Sequence, residues 1–221
     1  VLLKKHNEAA PLDTKTKIML AAFELFGRHG FVGTSVRQIA LASEVNLAAV
    51  NYHFKNKENL FWEIMAVMFS EVDKKVAEMA SQSNSTLVLS EKIYDFFIEE
   101  SLAAKNTMKM MLSEDIVPPI EVGGDSPLAN PMGPPGGEHL AEMIQKDIPF
   151  KLSREGALWG VKSIFGSIFH WALLVTTDRI CNQGAVVDPL MTEAQIKKDV
   201  MRMVDSTLFY IIEKRESFID R

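Results

Sequence analysis

Residues 34–60 read Thr34-Ser35-Val36-Arg37-Gln38-Ile39-Ala40-Leu41-Ala42-Ser43-Glu44-Val45-Asn46-Leu47-Ala48-Ala49-Val50-Asn51-Tyr52-His53-Phe54-Lys55-Asn56-Lys57-Glu58-Asn59-Leu60. Ser35 followed three residues later by Gln38 is a capping box, because each side chain can satisfy the other residue's free backbone N–H. It predicts a short helix that buries Val36, Ile39 and Ala40. A break at Ser43-Glu44 leads to Asn46, a good cap for a third helix from Leu47 to about His53. That helix is two-sided: Val50 and Phe54 face inward, while Leu47, Ala48, Asn51 and Tyr52 share the other side. Asn56 then caps a long fourth helix containing Leu60, Phe61, Ile64, Met68 and Val72.

Upstream, Asp13 is an N-cap and Gly30 a C-terminal stop. Between them Ile18, Ala21, Ala22, Leu25 and Phe26 recur at spacings of three and four, as on one face of a helix. Downstream, the polar run Ser81–Ser85 marks a loop. Helices are expected at about 89–104, 107–116, 138–147, 153–182 and 192–214, with Gly184–Pro189 joining the last two. The Pro- and Gly-dense segment 118–137 reads as a long loop. No alternating run of strand length appears, so the fold expected is all-α.

Composition agrees with a folded soluble chain: hydrophobic residues make up 47% and charged residues 24%, which excludes a disordered or collagen-like polymer. The single Cys181 cannot pair within the chain, so a reducing, cytoplasmic setting is expected. The first residues carry no apolar core of signal-peptide length. The stretch from Trp159 to Val175 is apolar but slightly short for a membrane span, and Lys162 and His170 interrupt it. A buried helix is expected there, without membrane association.

The net charge of −5 hides an asymmetry. Residues 1–60 hold eight basic and five acidic side chains, whereas the remainder holds 16 and 24. Different segments therefore suit different partners. The basic end is also where residues 34–54 form two short helices separated by a tight break, a helix-turn-helix. In such a unit the first helix braces the phosphate backbone and the second enters the major groove. Thr34 and Ser35 stand at a helix start whose N–H groups favour an anion, with Arg37 one turn in. Small Leu47 and Ala48 permit close approach and can touch a thymine methyl, and Asn51 can pair with an adenine edge. Asn46 opens that helix. Tyr52, His53 and Lys57 suit phosphates on the flanks. Each has an ordinary reading too: Tyr52 and His53 as packing residues, Leu47 and Ala48 as helix formers. Lys4, Lys5 and His6 are read as a frayed tail before a minor-groove arm.

These residues resemble the TetR family of transcription regulators. The matching runs are Thr34–Ala40, Ala49–Phe61 and, upstream, Ala22-Phe23-Glu24-Leu25-Phe26 with Gly30-Phe31. The most specific part is Tyr52-His53-Phe54 followed by Lys57-Glu58-Asn59-Leu60-Phe61. Val45-Asn46-Leu47 departs from the family's usual Val-Ser and small or basic residue, and Asn51 stands where an aromatic or leucine is common. Both departures lie on the reading face and bear on which operator is read. The resemblance implies an all-α homodimer whose two heads occupy successive major grooves of a near-palindromic operator. It also implies a variable C-terminal domain in which a small molecule shifts the fourth helix and releases DNA. Repression is the commoner outcome, activation the alternative.

The division expected is an arm and DNA-reading head at 1–56, then an effector and dimerisation domain at 57–221. Phe69, Phe96, Met111, Phe165, Phe169 and Trp171, with His170 as a polar anchor, are the candidate pocket for an apolar or aromatic effector. The ordinary reading of His170 as a core or interface histidine stands ahead of that role, as does core packing for Met111. For the dimer, Val200, Met203, Val204, Thr207, Leu208 and Ile211 form a stripe along the last helix. Gly160, Ser163 and Ser167 offer a small-residue stripe on the helix before it. Two apolar faces exceed what one protomer's core needs, and a four-helix interface between copies would bury the surplus.

No catalytic constellation, cofactor motif or metal set is read. His139 with Glu138 and Glu142 lacks a second histidine at ligand spacing. Three rivals stand beside the DNA reading. A helical-bundle enzyme would need clustered acids or a nucleophile with its base. A protein-interaction module would bind no DNA, and a membrane-associated chain would follow its apolar helix.

Overall fold

The computed structural model describes residues 12–111, 132–175 and 192–220. The Lys4–His6 tail, Cys181, most of the 118–137 segment and the Gly184–Pro189 loop lie outside them. Among the described residues there are nine α-helices and no strand: α1 (Thr14–His29), α2 (Val36–Ala42), α3 (Leu47–Phe54), α4 (Lys57–Ser81), α5 (Thr86–Glu99), α6 (Ser101–Met111), α7 (Gly137–Asp147), α8 (Arg154–Val175) and α9 (Glu193–Glu213). A short 3-10 turn, Arg215–Ser217, follows α9.

The caps are those the sequence announces. Asp13 accepts from the Thr16 N–H at 2.8 Å, and the Ser35–Gln38 box closes in both directions. Asn46 accepts from Ala49 N–H and Asn56 from Asn59 N–H, each at 2.7 Å. Each such cap satisfies one N–H that the helix itself cannot. One boundary differs. Helices expected at 89–104 and 107–116 are instead α5 and α6, parted at Glu100, whose N–H closes onto Phe96 O at 3.0 Å. No Gly or Pro marks that break, so periodicity ran through it.

The described residues fall into two compact units: 12–71 with 102–111, and 72–101 with 132–175 and 192–220. The expected boundary at 56/57 thus differs from where the contacts divide: the first half of α4 and nearly all of α6 pack with the head. In the first unit Ile18, Ala22 and Phe26 of α1 meet Ile39 of α2, Val50 and Phe54 of α3, and Leu60, Phe61 and Ile64 of α4. The Phe26, Phe31 and Phe61 rings stand 5.5–5.8 Å apart in tilted or edge-on pairs. Each enclosed side chain of this size contributes about 1.5–3 kcal/mol over an exposed one.

In the second unit α8 packs against α5, α7 and α9. At 22 residues α8 is long and apolar enough to cross a membrane by length and composition. Here Val161, Ile164, Phe165, Ile168 and Ala172 are buried in the unit. Lys197 of α9 reaches Glu91 and Asp95 of α5, each at 2.9 Å. Burial works against that ammonium, yet the hydrogen bonds it donates to Asp95 and Glu91 outweigh it and raise its pKa. Gly136 opens α7 at φ +81°, where a β-carbon would run into Val76. Its N–H donates to Asp73 Oδ1 at 2.9 Å.

Candidate nucleic-acid interface

α2 and α3 form the helix-turn-helix, with Glu44 at φ 55° in the tight turn between them. Such a φ is uncommon outside glycine and marks a turn with no slack. Val50 and Phe54 anchor α3 to the core at 3% and 2% exposure, so the opposite face must point outward. Leu47, Ala48, Asn51 and Tyr52 are all exposed, Tyr52 at 85%. No acidic residue occurs in α3. His53 is half-buried, its ring 5.3 Å from Tyr52 and 6.1 Å from Phe54. His53 also lies near Asp13, whose carboxyl is held below its ordinary range mainly by the Thr16 N–H. Arg37 is exposed at the start of α2.

Four expected contacts are used within the head. Thr34 is 1% exposed and its hydroxyl donates to Gly30 O at 2.8 Å, which corrects its assignment as a phosphate-binding hydroxyl. Ser35 remains exposed, but its hydroxyl accepts from Gln38 N–H and its N–H donates to Gln38 Oε1. Asn46, also exposed, spends its side-chain oxygen on Ala49. Lys57 is tied down most: its ammonium donates to Phe31 O at 2.7 Å and Thr34 O at 2.9 Å, and sits 4.0 Å from the centre of the Phe31 ring. Sequence reasoning took its charge for a flank phosphate contact. It passed over Lys55, which is exposed and follows α3 directly. Only the turn geometry separates these two lysines.

The effector set is not brought together as expected. Phe69 packs against the core of the first unit, and the Met111 side chain lies outside the described residues. In the second unit Phe97, absent from the expected set, occupies the centre. Its ring is 5.6 Å from Phe165 and 5.0 Å from Phe169, with Phe96 at 5.4 Å. Trp171 is half-buried, whereas His170 is exposed, which corrects its reading as a core residue. A cleft of about 660 Å³ in this unit is lined by Ser153, Arg154, Leu158, Glu216 and Asp220, among others, and by none of the expected pocket residues.

The dimer set divides by burial. Val200, Val204 and Ile211 are 0% exposed. Gly160 is buried where a β-carbon would press on Ile144 and Ile211. These four belong to the protomer's own core, a correction to their place on the interface. Ser163, Ser167, Thr207 and Leu208 are half-buried and Met203 is exposed. α9 also exposes Tyr210 at 47%, two turns beyond Met203, and Phe209 at 65% and Ile212 at 42% on other sides of the helix, all missed. A helix apolar on two sides gives one continuous periodic signal, and spacing alone cannot say which side a protomer keeps.

Residues 18–64 match the family model for bacterial regulatory proteins, tetR family. The chain is 40% identical over 82 residues to the probable HTH-type transcriptional regulator YttP of Bacillus subtilis, a match covering 37% of this chain and 39% of that protein. It is 41% identical over 56 residues to the HTH-type transcriptional regulator QacR of Staphylococcus aureus, covering 25% and 30%. These matches therefore span about two-fifths or less of the relatives' length. The fold extends further: a TetR family transcription regulator from Marinobacter aquaeolei superposes with a TM-score of 0.62 at 16% identity, covering 88% of this chain and 94% of that one. Residues 18–64 of this chain thus carry the TetR-family match, and the helical fold of TetR-family structures is shared along most of the chain.

Proposed function

We propose that this chain is a cytoplasmic transcription regulator, a repressor, that binds a near-palindromic operator as a homodimer and is released by a small apolar or aromatic effector. The observation that carries the reading is the outward face of α3: Leu47, Ala48, Asn51 and Tyr52 exposed together, on a helix without acids whose other face is locked by Val50 and Phe54. A helix about 10–12 Å across fits a major groove about 12 Å wide. The exposed apolar side chains of α9, Met203 with Tyr210 two turns on and Phe209 beside it, support pairing of two copies, which gives two such helices per assembly. The rings around Phe97 support an effector of aromatic or apolar chemistry. Its effect is a bias between two states of the dimer that differ in operator affinity.

Selection of duplexes from a random pool by the full chain tests this reading. Enrichment of sites with dyad symmetry is expected, with affinity that falls steeply as salt rises. A chain that enriches no sequence, and whose retention of duplex ignores salt, overturns the reading in favour of a protein-interaction module.

A further inference from the structure

Four side-chain hydroxyls are buried with no hydrogen-bond partner among the described residues: Thr86, Ser90, Tyr94 and, in the other unit, Thr107. The first three stand on α5 at intervals of four residues, and each residue is 0% exposed. Four residues make just over one turn, so the hydroxyls follow one another at about 6 Å per step along one buried face. Phe97, on the same face, sets its ring against Phe165 and Phe169 of α8. The buried side chains of α8 from Val161 to Ala172 hold no polar atom that could serve the row.

A serine or threonine in or just after a helix can dispose of its hydroxyl by donating to the carbonyl four residues back. Ser43, Ser83, Ser167 and Thr207 of this chain do so at 2.7–2.8 Å. Ser90 does not, although the Thr86 carbonyl stands four residues behind it. Thr86 places its N–H on Asp147 Oδ2 at 2.6 Å and leaves its hydroxyl unused. A buried hydroxyl without a partner costs folding free energy, and three on one face require a cause.

The row runs into an aromatic group. The Phe97 ring is 5.0 Å from Phe169 and 5.6 Å from Phe165, with Phe96 at 5.4 Å. One face of α5 therefore offers hydroxyls that donate and accept, and rings beside them. The row itself carries no charge. Lys197, whose charge reaches Tyr94, is already paired with Glu91 and Asp95. A ligand charge enclosed there would go uncompensated, so neutral oxygen atoms fit and ions do not. Because the row is enclosed, a molecule that meets it must part α5 from α8 at the Phe97 rings. Binding is then a choice between two arrangements of this unit.

We propose that Thr86, Ser90 and Tyr94 form the polar side of the effector site and select a neutral aromatic molecule that carries hydroxyl or carbonyl oxygens. This rests on the effector reading above and narrows it from apolar or aromatic chemistry to a ligand recognised through oxygen.

The test is equilibrium dialysis of the full chain against β-naphthol, and against naphthalene as the same ring system without oxygen. β-Naphthol is expected to bind wild type about tenfold tighter, the worth of one hydrogen bond to an otherwise unpaired group. A merely apolar site would favour naphthalene instead. At least one of Thr86→Val, Ser90→Ala and Tyr94→Phe should bring β-naphthol down to the affinity of naphthalene, whose own binding stays as in wild type. Melting without probe should be unchanged or raised in these variants, because each deletes a polar atom that nothing described in the fold satisfies. Three variants that all keep the preference, or that all melt lower than wild type, overturn the proposal. Equal affinity of wild type for both probes overturns it too, and leaves the apolar effector reading standing. If wild type binds neither probe, that reading falls together with the proposal.

Discussion

Gly27 of α1 faces Asn106 of α6 so closely that a β-carbon at position 27 would overlap the carboxamide. One turn along α6, Lys109 Nζ donates to the Gly27 carbonyl at 3.0 Å. Asn106 is buried at 7% exposure, so it has nowhere to retreat. Replacement by alanine normally favours a helix, by about 1 kcal/mol. Here overpacking of about 1–3 kcal/mol wins. Gly27→Ala is expected to lower the urea midpoint, and Asn106→Ala in the same chain to recover part of the loss. Additive losses in that double-mutant cycle would mean the two residues do not share the space.

Tyr52 projects from α3 at 85% exposure and supports nothing in the core. Tyr52→Ala should weaken duplex binding by about 1.5–3 kcal/mol, the span for a hydrogen bond to a charged group such as a phosphate, at an unchanged melting temperature. Asn51→Ala should change base preference more than overall grip. Duplex selection with both variants distinguishes them; identical enriched sites for wild type and Asn51→Ala would remove Asn51 from base reading.

Met203 and Val204 are adjacent on α9 and sit in different surroundings, one 38% exposed and the other enclosed. Met203→Asp, and likewise Phe209→Asp, should yield folded monomers by sedimentation, since a charge enters an apolar face without opening the core. Val204→Asp should unfold the second unit, because an isolated buried charge has no partner. A dimer that survives both outward substitutions places the contact between copies elsewhere.

Tyr94 is fully enclosed, and its hydroxyl has no hydrogen-bond partner among the described residues. Burial, reinforced by Glu193 and Asp95, pushes its pKa from 10.0 up to about 12, with Lys197 opposing. The folded form thus keeps its proton where the unfolded chain has lost it. The contribution to stability is intact below pH 10.0 and drains away as pH rises toward about 12. Tyr94→Phe removes both this loss and an unpartnered polar group. It should melt no lower than wild type at neutral pH and resist alkali better. An alkaline transition of equal depth in the variant would assign that loss to other groups.

The helix-turn-helix was legible because every signal for it is local. Caps at Asp13, Ser35, Asn46 and Asn56 act within three residues, and Val50 with Phe54 mark the buried side of a helix of only eight residues. The exposed face of α3 follows from those two anchors alone. The break at Glu100 carries no Gly or Pro, and Ser101 after it is a weak cue inside an apolar period that runs on.

Tertiary structure decided what each charge and each apolar stripe is for. Lys55 and Lys57 are the same residue type two positions apart, and only the distant carbonyls of Phe31 and Thr34 turn one of them inward. Val204 and Phe209 repeat on one amphipathic helix, and only packing against α8 and α5 tells core from outer face. A sequence specifies where hydrogen bonds close over three or four residues. Which of two chemically equal side chains meets a partner from another part of the chain depends on how the helices are set against one another.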